Sequence, residues 1–257
     1  MYGFCPLASG SSGNSIYFGS KKTKILIDLG ISVKELKKRL NEIDVKIEEI
    51  QAILITHDHM DHIAGLKTLI NNYDIPIITN SETAKGIYSL LKIEPRFKIF
   101  TTGEEFEFED LKVFPFSIQH DTLDPVGYII EFDDIKIGFC TDLGFVTTLV
   151  KNALIKCNYL YLESNHDVNM LLSSNRPEYL KKRILSRQGH LSNDESNNLL
   201  QKLLHPNLKH IFLAHLSEEC NSQEKAYKLV QELLEKNNNK TKLSIAYQDK
   251  VSEKVFF

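Results

Sequence analysis

Apolar residues recur along this chain with two periods, and the alternation between them outlines its elements. The run Thr23-Lys24-Ile25-Leu26-Ile27-Asp28 reads as a strand. Ser32-Val33-Lys34-Glu35 has the form of a capping box, and Val33, Leu36, Leu40 and Ile43 follow at helical spacing. A buried strand is predicted over 52–56, a helix through Leu66, Leu69 and Ile70, a short strand over 76–79 and a further helix from Ser81 onward. The middle of the chain is strand-rich: Phe97–Phe100, 105–108, 111–118, 127–132 and Ile135–Cys140, with Asp133-Asp134 as a tight turn. Beyond Asp142 helices and strands alternate again. Tyr159–Glu163 and His210–Ala214 read as buried strands, and Ser192-Asn193-Asp194-Glu195 as a second capping box opening a helix through Leu199, Leu200 and Leu203. Gln223–Lys236 reads as an amphipathic helix ending near Asn237-Asn238-Asn239, and 243–247 as a last strand. No repeat or linker interrupts this order, which predicts a single domain over residues 1–257, of α/β or layered α+β class.

Composition narrows the setting. A chain of 257 residues, 42% hydrophobic and 25% charged, has ample apolar material for a core and reads as a soluble globular protein. A net charge of −3 supplies no global basic field, so any polyanion has to be held by a local patch. Cys5, Cys140, Cys157 and Cys220 are scattered without a C-x-x-C pair, which predicts neither a disulfide framework nor a cysteine zinc site. No basic-then-apolar leader is evident, and no apolar run approaches the roughly 18 residues of a membrane span. The expected location is the cytoplasm, with no membrane partner.

The candidate chemistry begins at Thr56-His57-Asp58-His59-Met60-Asp61-His62, three imidazoles and two carboxylates in seven residues directly after a strand. Packing does not account for rings so crowded, whereas histidine and aspartate together suit zinc, manganese or iron. The H-x-H-x-D-H spacing holds ligands for two ions, His57 and His59 turning one way and Asp61 and His62 the other. His120, Asp142 and His215 each sit just past a strand's carboxyl end, where ligands collect in open α/β sheets. His205, before Pro206, and His210, opening a strand, read as structural.

Substrate contacts leave fainter marks. His166 follows the strand Tyr159–Glu163, and His190, in Gly189-His190-Leu191-Ser192-Asn193, precedes a helix N-terminus of the kind that favours anions. Lys181-Lys182-Arg183 and Arg187 form a basic run; at helical spacing Arg183 and Arg187 share a face that suits a polyanion backbone. The loop Ser9-Gly10-Ser11-Ser12-Gly13-Asn14-Ser15 lets its backbone approach a ligand closely, with Ser12 and Asn14 as candidate contacts, and reads equally as a plain turn. No stacked-aromatic pattern is visible, so base-specific reading has no support in the sequence.

These motifs resemble those of the metallo-β-lactamase superfamily. With His120-Asp121, Asp124-Pro125-Val126-Gly127-Tyr128, Thr141-Asp142-Leu143-Gly144, Glu163-Ser164-Asn165-His166-Asp167 and His215-Leu216-Ser217 they resemble, in order and over nearly the whole chain, the bacterial YycJ/VicX (WalJ) family. The resemblance implies an αβ/βα four-layer sandwich of two mixed β-sheets with outer helices. It implies that His57, His59 and His120 hold one ion, that Asp61, His62 and His215 hold a second, and that Asp142 serves both. It implies a cytoplasmic, metal-dependent phosphodiesterase acting on DNA as a 5′-to-3′ exonuclease. His59 stands where flavodiiron relatives have Glu, and Asp142 where many antibiotic-hydrolysing relatives have Cys, so both of those branches are disfavoured. His190 matches a histidine that RNase Z holds near the scissile phosphate, while the RNase Z arm and the RNase J inserted domain have no room here.

The expected reaction is therefore phosphodiester hydrolysis by a water activated on two divalent metal ions, zinc or manganese, with iron a further option. Asp61 is expected to orient that water, and His190 to offset charge on the phosphoryl oxygens or protonate the leaving oxygen. Ser12, Asn14, His166, Arg183 and Arg187, with Lys181, are the expected contacts to a nucleic acid, DNA foremost. An acyl hydrolase of thioesterase or lactonase type, a hydrolase of small cyclic phosphodiesters and a non-catalytic metal protein are the rival readings. Oligomeric state and metal identity are not legible in these residues.

Overall fold

The computed structural model describes all 257 residues. Six strands lie side by side in chain order: β1 (Gly3–Ala8), β2 (Ser15–Gly19), β3 (Lys24–Ile27), β4 (Ala52–Leu54), β5 (Ile77–Asn80) and β6 (Phe97–Phe100). The next seven form a second sheet, again in sequence order: β7 (Phe106–Phe108), β8 (Leu111–Ser117), β9 (Val126–Phe132), β10 (Ile135–Cys140), β11 (Tyr159–Glu163), β12 (His210–Ala214) and β13 (Lys242–Ile245). The last strand, β14 (Val255–Phe256), pairs antiparallel with β1 and brings the first sheet to seven strands.

Both sheets are mixed. β1, β2 and β3 run antiparallel, whereas β3 through β6 are parallel. β9 and β10 are antiparallel, whereas β10 through β13 are parallel. Parallel neighbours need a crossover. Helices supply it at Val33–Asn41, Leu66–Ile70 and Ser81–Leu91 in the first sheet, and at Thr148–Leu154, Asn193–Leu203 and Gln223–Lys236 in the second. Parallel strands also deliver their carboxyl ends to one edge of their sheet. In the first sheet that edge receives Asp28 and residues 56–62 after β3 and β4; in the second, its own such edge receives Asp142, Glu163 and His215 at or just past the ends of β10, β11 and β12.

The backbone gathers into two compact units, one of Met1–Pro115, Thr122–Val126 and Ala246–Phe257, the other of Phe116–Asp121 and Gly127–Ile245. In the first, Leu26, Ile53 and Ile55 pack with Leu36 and Leu40 of the first helix and with Ile63, Leu66 and Leu69. Burying each such side chain contributes about 1.5–3 kcal/mol. Ile55 and Ile63 are both fully buried, so the His-rich segment between them is pinned at each end. In the second unit Leu171, Ile184 and Cys220 form a smaller cluster under the loops that follow β11 and β12.

Several local expectations change. Ser32 caps its helix through Glu35 N–H at 3.2 Å, but the Glu35 carboxylate turns to Arg39 Nε at 2.9 Å instead of closing a box. The Ser192–Glu195 box is complete. β1, β2 and β14 and the helices Val168–Ser173 and Glu178–Ile184 add to the elements foreseen. The basic helix stops at Ile184 because the His190 N–H bonds the Ile184 carbonyl at 3.0 Å. Arg187 therefore lies beyond the helix and shares no helical face with Arg183. All four cysteines are free and buried, with Cys140 the last residue of β10. No helix is long and apolar enough to cross a membrane.

Candidate functional site

In the first unit Asp28 organises the histidine cluster. It follows β3 at φ +60°, a left-handed conformation that costs a non-glycine residue roughly 1–2 kcal/mol. The turn aims its carboxylate at the end of β4. Oδ1 accepts the Thr56 N–H at 2.9 Å, and Oδ2 accepts Thr56 Oγ1 at 2.9 Å and His62 Nδ1 at 2.8 Å. With its one proton given to Asp28, Thr56 Oγ1 accepts from His57 Nδ1 at 3.0 Å. Both imidazoles thus carry their N–H at Nδ1, which makes Nε2 the lone-pair nitrogen, the form a metal-binding histidine takes. Ring centroids lie 4.1 Å apart for His57 and His62 and 4.7 Å for His57 and His59.

The Ser-Gly loop between β1 and β2 closes on this cluster. Asn14 Nδ2 is 3.0 Å from His62 Nε2 and 3.2 Å from Asp61 Oδ2, and Asn14 N–H donates to the Asp61 carbonyl at 2.8 Å. A Cβ at Gly30 would fall 1.6 Å from the Asp61 carbonyl oxygen, so only glycine fits there. Ser12 is exposed, its N–H bonded to Gln248 Oε1 at 2.9 Å. The loop is a turn, as one of the two readings had it, and its Asn14 meets the candidate ligands themselves.

In the second unit the organiser is Glu163, fully buried at the end of β11. Oε1 accepts from His190 Nδ1 at 2.8 Å and His215 Nδ1 at 3.0 Å; Oε2 accepts the N–H groups of Leu143 at 2.7 Å and Leu191 at 3.2 Å. Burial alone would raise the Glu163 pKa, but the neighbouring His190 charge and the two imidazole hydrogen bonds outweigh it and hold the carboxyl down at about 2. A permanent carboxylate fixes both rings with Nε2 as the remaining nitrogen. Asp142 and His215 sit at strand ends with φ +58° and +54°. One atom each of Asp142, Glu163, His190 and His215 lies within 4.8 Å of the other three. His120 joins the same unit with Nδ1 3.1 Å from the Gly189 carbonyl and Nε2 3.8 Å from Asp142 Oδ1.

The donor set fits divalent metal ions. Four of the predicted ligand histidines, His57, His62, His120 and His215, turn Nδ1 to an oxygen within their own unit, which presents Nε2 as the ligand atom. The remaining predicted contacts divide. His166 is 1% exposed, its ring nitrogens have no hydrogen-bond partner, and burial pushes its pKa down. Arg183 pairs with Asp121. Lys181 is a correction: it is buried, its Nζ donating to the Leu172 carbonyl at 2.8 Å, and it offers nothing to a polyanion. His205 and His210 are structural, with Nε2 bonded to the Cys157 carbonyl at 2.9 Å and to Ser244 Oγ at 2.8 Å.

Asp28 and Glu163 were not singled out in the sequence. Both stand at the carboxyl end of a strand, so the rule that found Asp142 and His215 finds them too when applied to β3 and β11.

Residues 23–212 match the model of the β-lactamase superfamily domain. The exodeoxyribonuclease YycJ of Bacillus anthracis is 36% identical over 234 residues, covering 90% of this chain and 89% of that protein. The exodeoxyribonuclease WalJ of Streptococcus pneumoniae serotype 2 (strain D39 / NCTC 7466) is 38% identical over 225 residues, 86% of this chain and 84% of that one. Among solved structures, the metallo-β-lactamase fold protein YhfI of Bacillus subtilis superimposes with a TM-score of 0.70 at 14% identity, over 98% of this chain and 99% of its own. That likeness speaks for the fold.

Proposed function

We propose, on the premise that this chain belongs to the β-lactamase superfamily and within it to the YycJ/WalJ exodeoxyribonuclease family, that it is a metal-dependent exodeoxyribonuclease working as one hydrolase domain. The ligand set is His57, His59, Asp61, His62, His120, Asp142 and His215, holding two divalent ions, zinc or manganese. When bound, such ions lower the pKa of a water and neutralise charge on the phosphoryl oxygens. The protein's own residues do the rest. Asp61, steadied by Asn14, orients the attacking water. Glu163 takes the Nδ1–H of His190, which leaves Nε2 to hold a proton at the leaving 3′ oxygen. Arg187 and the backbone around Ser12 contact the DNA strand, degradation runs 5′ to 3′, and the compartment is the cytoplasm, where four free thiols stay reduced.

The observation that carries this reading is the Glu163–His190 pair. An acyl hydrolase needs metals and water but no imidazole beyond the ligand set held on the carboxylate that orients a ligand. Protein loaded with Mn²⁺ or Zn²⁺ is expected to degrade end-labelled DNA. His190→Ala is expected to lower turnover about 10²–10⁴-fold with metal content retained. Unchanged nuclease turnover in that variant, or hydrolysis of a thioester with no cleavage of any phosphodiester, would overturn the assignment.

A further inference from the structure

Of the two arginines of the basic run, Arg187 keeps its donors uncommitted. Lys181 is buried against the Leu172 carbonyl and Arg183 is paired with Asp121, whereas the Arg187 guanidinium makes no hydrogen bond or ion pair with the protein. Its central carbon lies instead over the Phe145 ring, 4.0 Å from the ring centroid. Phe145 is 36% exposed. An exposed phenylalanine is ordinary on a protein surface. This one is distinguished by what holds it and where.

The chain leaving Asp142 and the chain entering His190 touch backbone to backbone. A Cβ on Gly144 would stand 2.5 Å from the Gly189 nitrogen and 2.6 Å from the Arg187 carbonyl oxygen, and the Gly144 N–H is anchored to the Gln119 carbonyl at 2.8 Å. Phe145 is three residues past Asp142, and Arg187 three before His190. Two glycine contacts therefore hold an aromatic ring and the guanidinium above it beside a candidate metal ligand and the candidate proton donor. Aromatic rings and guanidinium planes are the groups on which unpaired bases stack.

We propose that Phe145 and Arg187 form a stacking platform for the base of the nucleotide next to the scissile phosphate. The proposal rests on the nuclease reading and deepens it. Stacking tolerates any base but requires it to be unstacked from its neighbours. The preferred substrate is then a single strand, or a duplex end that frays before cleavage, and preference among the four bases is weak.

The test compares kcat/KM for single-stranded oligonucleotides with kcat/KM for bis(p-nitrophenyl) phosphate, a diester without a base, in metal-loaded wild type and Phe145→Ala, with Phe145→Tyr as the conservative variant. Phe145→Ala is expected to lower the ratio of the two about 5- to 100-fold, chiefly through KM for the oligonucleotide, and Phe145→Tyr to restore it. An abasic site scanned through the first few nucleotides is expected to reproduce the loss in wild type at one position. At that position it adds nothing to Phe145→Ala. A ratio unchanged by Phe145→Ala, or an abasic effect equal in both proteins, would overturn the platform while leaving the nuclease in place. Wild type that turns over the small diester but degrades no oligonucleotide overturns the nuclease reading itself.

Discussion

In the first unit four candidate ligands come from six consecutive residues, His57 to His62, and Asp28 orients two of them directly or through Thr56. In the second, the candidate ligands His120, Asp142 and His215 and the candidate proton donor His190 come from four separate segments, and Glu163 alone gathers two of those imidazoles on one oxygen. Each unit uses the same physical device, a buried carboxylate accepting Nδ1–H at a strand's carboxyl end. They differ in what supplies the geometry. Chain connectivity brings the first set together. Strand register brings the second: Cys140 pairs with Leu162 across β10 and β11, and Glu163 with Ala214 across β11 and β12. A slip of one residue there would turn Glu163 to the other face of its sheet and leave both imidazoles without their acceptor.

That difference predicts unequal damage. Glu163→Ala is expected to be the most severe change among the residues that orient the ligands and His190. Loss of one outer carboxylate typically costs about 10–100-fold in metal affinity or activity. Here one residue serves two imidazoles and two backbone N–H groups, so the expected fall in kcat/KM is about 10²–10⁴-fold. Stranding buried donors adds about 1–3 kcal/mol of destabilisation. Glu163→Gln separates the two effects, since the amide keeps the shape and one acceptor oxygen. Metal content, urea midpoint and DNA degradation measured together decide it; activity within threefold of wild type for Glu163→Ala would end the gathering role.

Asp28→Asn is expected to do less. It disturbs a cluster that the chain already holds together, and Thr56 keeps a carbonyl oxygen to bond. The expected loss is about 10–100-fold in metal affinity, with little change in kcat at saturating metal. Calorimetric titration of metal-depleted protein reads it. Equal losses for Asp28→Asn and Glu163→Ala would erase the distinction between a connected and an assembled cluster.

The same contrast explains how legible the molecule was. The histidine run announces itself because its members are adjacent. Asp142 and His215 are legible because each follows an apolar run; Glu163 ends one equally well, but its meaning lies in two imidazoles 27 and 52 residues further along. The strands of both parallel halves, though not their direction, followed from buried apolar runs alternating with helical patterns. β1 did not, because Gly3 and Pro6 dilute its apolar pattern. The shared face expected of Arg183 and Arg187 failed for a tertiary reason. The turn that carries Gly189 and His190 folds back on Ile184 and ends the helix, and the same turn carries Arg187 to Phe145. Periodicity cannot see a helix stopped by a loop that belongs to the site.

The smallest effect tests whether local capping differs between the units as the clusters do. Both Ser32 and Ser192 cap a helix through the N–H three residues on, each at 3.2 Å. Only Ser192 has its own N–H accepted in return, by Glu195 Oε2 at 3.1 Å. Loss of a serine cap costs about 0.5–2 kcal/mol. Ser192→Ala is expected near the upper end, because the helix it opens begins with Asn193. The Asn193 side chain accepts from Ser164 Oγ at 2.7 Å and pairs with Asn221, holding the loop just past Glu163. Ser32→Ala is expected near the lower end, since Glu35 is already committed to Arg39. Urea unfolding reads the stability of both. A drop in kcat/KM for Ser192→Ala alone would tie the second cluster to its distant supports. Equal activity in the two variants would mean that register by itself holds Glu163 in place.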